Sequence, residues 1–503
     1  IVTSPGSQSI PAGSPATIDV AITNNNTASC AAAPFQLSTF FFGDDVTLDP
    51  APGTSVSIPV ASGQTKHFTI TATPGVDVEP GTSIFIDFDV FDPLSMFSQF
   101  GSSFLSVTEP VGCHVSTSRE LTIKNTSVVD DSLRTGFDPS SSDPRNGVWS
   151  FKHLVENMAA TPADAPAMVE AMLTSMTTPQ TINGFTIDGR PGMQTIILDN
   201  WPRSADGSLD LAQAPLRLIA IVNRFDLRNL AHGDGGEGRF VFGFADPTFF
   251  DFSMQATLIL EYKLPAASDA DVQSWADSFH ALGALAFGES YNAALQLITE
   301  RFVGRNARPD HPNGSAINAV RTNEIAFGGG APWEMRQFAL SAATGRLEPT
   351  TLDLTPDRSF NFSDTLVSYI NDNQAAIIAE THTVPASFAG QPFQAGAVFN
   401  DLTTWFAFGA DNEARHHFAL NTCNGCHSSQ ETGTFFLQIA PQFPFGEAAL
   451  SGFLTGITVG DPVTGQSRRF NDLGRRNSDL KAIVCADPSL AGTSLRKGIQ
   501  RVH

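Results

Sequence analysis

Over its first 110 residues the sequence alternates apolar and polar side chains in short runs, with no helical period between them. Ser14–Asn24 sets Ala16, Ile18, Val20 and Ile22 on one side, the period of a strand with one buried face. Phe35–Phe42, Ser55–Val60, Lys66–Ala72, Ser83–Phe91 and Ser103–Val107 repeat the pattern, separated by turn formers such as Asn24–Asn26 and Pro74–Gly75. Strands without intervening helices can cover their apolar faces only with one another. A two-sheet sandwich over residues 1–110 is therefore expected.

The stretch "ATIDVAITNNNTASCAAAPFQLSTFFF", followed by "SGQTKHFTITATP", resembles the immunoglobulin-like modules appended to secreted bacterial enzymes. The resemblance implies an immunoglobulin-like fold and an exported address, and no activity. The chain opens on Ile1 and shows no leader-like segment, so a processed chain, periplasmic or extracellular with its signal peptide removed, is expected. No apolar run approaches the roughly 18 residues of a membrane span.

A linker at Thr108–Ser118 leads into mixed texture. Gly147–Ala160, Ala163–Met176, Asp269–Phe287, Ser290–Phe302 and Ser363–Ala379 have helical apolar spacing; Leu216–Phe225, Arg239–Phe244, Ala256–Tyr262 and Ala319–Phe327 read as strands. The last 80 or so residues are loop-rich, with short helices near Ala448–Leu454 and Asp472–Val484. Residues 119–503 are read as one large α+β domain. The expected protein is thus multidomain: an all-β immunoglobulin-like sandwich, then an α+β domain with a loop-rich C-terminal haem-binding segment. Lys plus Arg is 29 against 51 Asp plus Glu, a formal charge of −22. Such a surface opposes nucleic acid and anionic lipid alike.

The sharpest chemical signal is Cys423-Asn424-Gly425-Cys426-His427, the CxxCH spacing of c-type haem attachment. Two thiols on one turn reach both haem vinyl groups, and the adjacent imidazole becomes the proximal iron ligand. One covalent haem c on Cys423, Cys426 and His427 is expected. Two other readings share the spacing: a Cys423–Cys426 disulfide, or half of a zinc site completed by His416 and His417. Of the remaining Cys30, Cys113 and Cys485, the first and second flank the β domain and are the expected disulfide.

The second half also resembles a group of large secreted bacterial proteins with a single CxxCH. "RELTIKNTSVVDD", "GVWSFKHLVENMA", "PLRLIAIVNRFDLR", "GEGRFVFG", "RTNEIAF", "WEMRQFAL" and "NTCNGCHSSQETGTFFLQIAPQ" carry the resemblance, in order, over about residues 119–485. It implies architecture and export but no reaction. The chain departs from that group at Gln438 and Gln442, where the group has His and Arg.

One CxxCH leaves a sixth iron position to assign. His280 and His153, each on an expected helix, are the candidate distal ligands, with the resemblance as support. His114, His232 and His382 sit in loops, Met158 and Met335 are soft donors, and His416 and His417 are expected at the haem edge. Arg224, Arg228, Arg239, Arg321 and Arg336 lie inside apolar runs. Most read as buried ion pairs, but Arg224 and Arg239 are the candidates for haem carboxylates, which guanidinium binds in bidentate fashion. Asp234 and Glu237, in a glycine-rich loop over 232–239 that enters a strand, are the carboxylates a Ca²⁺ ion would use.

Two functional classes follow. The first is extracytoplasmic redox chemistry with a redox partner or small-molecule substrate, by electron transfer or by a peroxidase-like, haem-dependent oxidation. The second is an extracellular structural, adhesive or filament subunit that self-associates through the β-sandwich, with Cys423–Cys426 a disulfide or metal staple.

Overall fold

The computed structural model describes residues 1–27, 32–42, 46–75, 78, 81–108, 112–136, 147–246, 253–328, 333–400, 403–442 and 446–485. Its two compact units are Ile1–Ser116 and Thr117–His503.

The first unit contains β1 (Val2–Ser4), β2 (Ser7–Pro11), β3 (Ala16–Thr23), β4 (Ala33–Phe42), β5 (Val46–Asp49), β6 (Val56–Val60), β7 (Thr65–Pro74), β8 (Ser83–Asp92) and β9 (Phe97–Thr108). One sheet has the order β1-β3-β7-β5 and the other β2-β9-β8-β4-β6. Their alternating apolar residues meet in one core that includes Ile18, Val20, Leu37, Ile70, Ile84, Phe88 and Leu105. Alternation thus finds the long strands. It misses β1, β2 and β5, which are short and carry one or two buried residues at most. On the open face of the five-stranded sheet, Phe85 pairs with Phe104, ring centroids 4.5 Å apart. Both rings are exposed, as are Phe40 and Phe100.

The second unit is built on an antiparallel sheet: β10 (Thr122–Ile123), β11 (Leu216–Arg224), β12 (Asp234–Ala245), β13 (Ser253–Pro265), β14 (Ile317–Glu324), β15 (Trp333–Leu340) and β16 (Leu347–Thr350), in that order, with β17 (Val398–Asn400) also on β15. Residues opposite one another in an antiparallel pair share a face, so register divides the sheet into two chemistries. One face carries Ile221, Phe240, Leu260, Val320 and Phe338 in a cross-strand row. Helix α1 (Phe151–Met158) covers it through Phe151, 5.7 Å from Phe242. Phe302, from a helix introduced below, reaches Phe240 at 6.2 Å. The other face carries the rows Val222–Arg239–Glu261 and Arg224–Glu237–Lys263, with Arg321 beside Ile259 and Met335 beside Asn323.

The C-terminal segment packs on this second, charged face. Ile439 and Ala448 join Val222 and Val241, and a Cβ on Gly243 would come within 3.0 Å of Pro441. On the aromatic face a Cβ on Gly238 would come within 2.4 Å of the Phe302 ring. Two glycines of one strand therefore let two different layers approach.

Helices α2 (Asp269–His280) and α3 (Glu289–Val303) follow β13. Phe302 belongs to α3. Three local expectations are corrected. The run 234–238, read as a loop, is the first half of β12, with a bulge where Gly236 takes φ +111°. Ser363–Ala379 is two helices, Asp364–Asp372 and Gln374–Ile378, divided at Asn373. Ala448–Leu454 is a short strand at Ala449–Leu450, then a turn of helix from Gly452. No described helix is long and apolar enough to cross a membrane.

The disulfide expectation also changes. Cys113 and Cys485 are both disulfide-bonded, while Cys423 and Cys426 are free thiols. Cys30 lies outside the described residues. The expected Cys30–Cys113 bond depends on that residue and so lies outside the described residues as well.

Candidate functional site

The CxxCH turn is held by local hydrogen bonds. Helix α4 (Asn412–Leu420) starts at Asp411, whose side chain accepts from Ala414 N. Thr422 then caps α5 (Cys423–Cys426), accepting from Gly425 N. Trp405 Nε1 donates to the Thr422 hydroxyl at 2.8 Å, and Cys423 N donates to Thr355 Oγ1 at 3.0 Å. Gly425 is required by close approach, since a Cβ there would lie 2.2 Å from the Ala419 carbonyl oxygen. The next turn, α6 (Ser429–Thr432), supplies Glu431. This buried carboxylate accepts from Arg415 at 2.7 and 3.1 Å and from Thr404 at 2.6 Å, and it meets His416 Nδ1 at 2.5 Å.

His427 is buried and stacks on the buried Trp333, centroids 5.0 Å apart at 19°. Its Nδ1 bonds to the Phe436 carbonyl oxygen. A carbonyl can only accept, so Nδ1 carries the hydrogen. Burial pulls the imidazole pKa down to about 4, so the ring is neutral and Nε2 carries the lone pair. Both thiols are buried and their pKa values pushed up, by desolvation in each case. For Cys423 the opposing charge is Arg321; for Cys426 the Asp472 carboxylate adds to the rise. Gln438 Nε2 lies 3.2 Å from Cys426 Sγ.

His427 lines a cavity of about 80 Å³ between the charged sheet face and the C-terminal segment. Its charged wall is Arg224, Arg239, Glu261, Arg321 and Arg476; Met335 and Gln438 also line it. Arg224 and Arg239, singled out in the sequence, are thus brought to the same cavity as His427. Each is already ion-paired. Arg224 makes two 2.9 Å bonds to Asp226. Arg239 binds Glu237 at 2.7 Å and Glu261 at 3.1 Å. Arg476, on α7 (Asp472–Val484), binds Asp472 at 2.6 Å.

The other candidates lie elsewhere. His280 and His153 are not among the residues lining this cavity. His280 Nδ1 meets Glu120 at 2.9 Å, and that hydrogen bond, aided by the partner's charge, raises its pKa. His153 Nε2 bonds Asn157 one turn on. Of the two soft donors, Met335 lines the cavity, while Met158 is buried in α1. His416 is tied to Glu431, and His417 approaches Glu413 and Glu380 at 3.4 and 3.7 Å. Among the described residues no further His, Cys, Asp or Glu joins Cys423 and Cys426 in a three-ligand cluster. Asp234 is held by Arg308 and Lys263, and Glu237 by Arg239 and Lys263, so cationic side chains answer the charges proposed for Ca²⁺.

Glu261, Arg476 and Trp333 were missed as site residues. Glu261 was findable, because an acidic residue in "LILEYKLP" must face the charged row once β12 and β13 are paired.

No family model matches the sequence, and no curated protein matches it. Among solved structures, the FixG-related protein from Vibrio parahaemolyticus is 17% identical over 18% of this chain and 78% of its own, with a TM-score of 0.15. The periplasmic chaperone SfaE is 10% identical over 24% of this chain and 61% of its own, at 0.17. The YadV chaperone is 13% identical over 24% and 56%, at 0.16.

Proposed function

We propose that this chain is an exported, single-haem c-type protein acting in extracytoplasmic redox chemistry, with an immunoglobulin-like module as its first unit. The observation that carries the reading is the state of His427. It closes a CxxCH turn, its Nδ1–H is taken by the Phe436 carbonyl, and it lines a cavity. A metal-binding histidine uses its second nitrogen in this way, with the first held by a carbonyl that fixes ring and tautomer.

The residues present fit such a group. The two thiols are free and lie on one turn, the spacing that reaches both vinyl groups. Cys423 and Cys426 would form the thioethers, His427 would be the proximal ligand, and Met335 is the soft donor lining the same cavity. Arg224, Arg239, Arg321 and Arg476 supply guanidinium to carboxylates. When bound, haem supplies one-electron exchange and, with an open iron position, oxidant activation. The protein excludes water from the imidazole, fixes its proton on Nδ1 and surrounds it with balanced ion pairs.

A second reading, a self-associating surface subunit, has the exposed Phe40, Phe85, Phe100 and Phe104 in its favour, since clustered exposed rings mark association surfaces. One experiment separates the two: oxidised and dithionite-reduced spectra of protein from its native source, with intact mass. Covalent haem mass and a reduced α-band support the first. A colourless protein of unmodified mass that sediments as an oligomer supports the second.

A further inference from the structure

We propose that Glu261, wedged between Arg239 and Arg321 in the wall shared by two cavities, takes up a proton when the His427 site gains an electron and releases it when the electron leaves. This rests on the haem reading above.

The placement comes first. A second cavity, of about 470 Å³, is lined by Arg239 and Arg321, which also line the His427 cavity, and by Asp234, Glu237, Lys263 and Asp353. Asp353 is 53% exposed at its side chain, so this cavity reaches solvent. Glu261 lines the inner cavity and touches both shared arginines, at 3.1 Å to Arg239 and 3.6 Å to Arg321. It stands between the imidazole side and the solvent side.

The bonding comes second. Glu261 is 1% exposed, and among the described residues neither carboxylate oxygen accepts a hydrogen bond. Its two cations have other acceptors. Arg239 makes bonds of 3.0 and 2.7 Å to Glu237, and Arg321 bonds Gln337 at 3.2 Å and Asp353 at 3.3 Å. A buried carboxylate without hydrogen bonds is costly when charged. The groups facing it are Arg239 and Glu237 from β12, Arg321 from β14, Asp353 beyond β16 and Cys423 from α5. Burial, with the charges of Glu237 and Asp353, outweighs the two arginines and raises the Glu261 pKa.

The charge balance follows. One electron arrives from an external one-electron donor and adds a negative charge beside His427. Glu261 binds one proton from solvent by way of the second cavity, and the net interior charge is unchanged. Oxidation reverses both. Low effective dielectric makes this coupling strong.

The test is a spectroscopic redox titration of the haem-loaded protein from pH 5 to 9. The expected midpoint potential falls by about 59 mV for each tenfold drop in proton activity, over at least one pH unit, for a one-proton, one-electron couple. Glu261→Gln removes the slope, and Glu261→Asp retains one, displaced in pH. Should Glu261→Gln not fold, proton uptake on reduction of the parent protein in weak buffer is read directly, with up to one proton per electron expected. A pH-independent potential in the parent, no proton uptake, or a slope that survives Glu261→Gln overturns this proposal and leaves the haem reading standing. A protein without covalent haem overturns both.

Discussion

Glu431→Gln is expected to cost the second unit about 3 kcal/mol. In the parent, Arg415 and Glu431 are 1% and 0% exposed at their side chains and share two hydrogen bonds. The substitution keeps the shape and removes the charge, so the Arg415 guanidinium is left buried with Asp461 at 3.2 Å as its remaining carboxylate. Breaking a buried pair from one side costs roughly 3–5 kcal/mol, chiefly the desolvation of the abandoned charge. Asp461 remains, so the lower end applies, about a hundredfold in the folded-to-unfolded ratio. Tryptophan fluorescence during urea unfolding is a clean assay, because Trp149, Trp201, Trp275, Trp333 and Trp405 all lie in the second unit. The double variant Arg415→Met, Glu431→Leu removes both charges and should cost less than the single one. A single variant within 1 kcal/mol of the parent, or a double variant costlier than the single, would refute the claim that the cost lies in the abandoned buried charge.

Other outcomes follow from the same geometry. His382 is buried, neither ring nitrogen has a hydrogen-bond partner among the described residues, and burial lowers its pKa from 6.5 to about 4. Between those values the unfolded chain binds a proton that the folded one does not, so stability falls as pH drops from 6.5 to 4. The full loss is about 3 kcal/mol. His382→Leu should flatten that dependence in urea titrations at pH 7 and pH 5; an unchanged dependence rejects the assignment. Gly425→Ala should destabilise by about 1–3 kcal/mol through overpacking against Ala419, seen as a lower urea midpoint, and should reduce the yield of covalent attachment measured by mass. Gly238→Ala should cost a similar amount by displacing Phe302 while leaving attachment intact; equal attachment losses in both variants would show that the two faces of the sheet are not independent.

Much of this was legible in the sequence wherever one physical rule dominates. Alternation marks β3, β4, β7 and β8, because each puts one face on a common core. The embedded charges at Arg224, Arg239 and Arg321 were read as buried, and they are. Which cations meet His427 depends on cross-strand register, which a single strand does not carry. Residues 234–238 were misread because glycine usually marks a turn; here it provides the bulge and room for Phe302. The histidines failed as candidates for a related reason. Helical position says that His280 and His153 are available, not what lies opposite them, and opposite His280 lies Glu120. The Cys113 and Cys485 bonds were out of reach, because spacing along the chain does not determine pairing.

The CxxCH turn has a consequence for the order of biosynthesis. Most of its supports, from Trp405 to Phe436, lie within some 31 residues of one another in the chain, Thr355 being the distant one, so much of the turn can form early and locally. The wall it faces is supplied by strands 90 to 200 residues upstream, and contacts at that separation form late. In the closed fold Cys423 and Cys426 are 1% and 0% exposed, beyond the reach of any maturation enzyme. A group joined to these sulfurs must therefore be joined while the segment is still undocked. On the haem reading proposed above, attachment has to precede closure, and a chain that closes first keeps two bare, buried thiols.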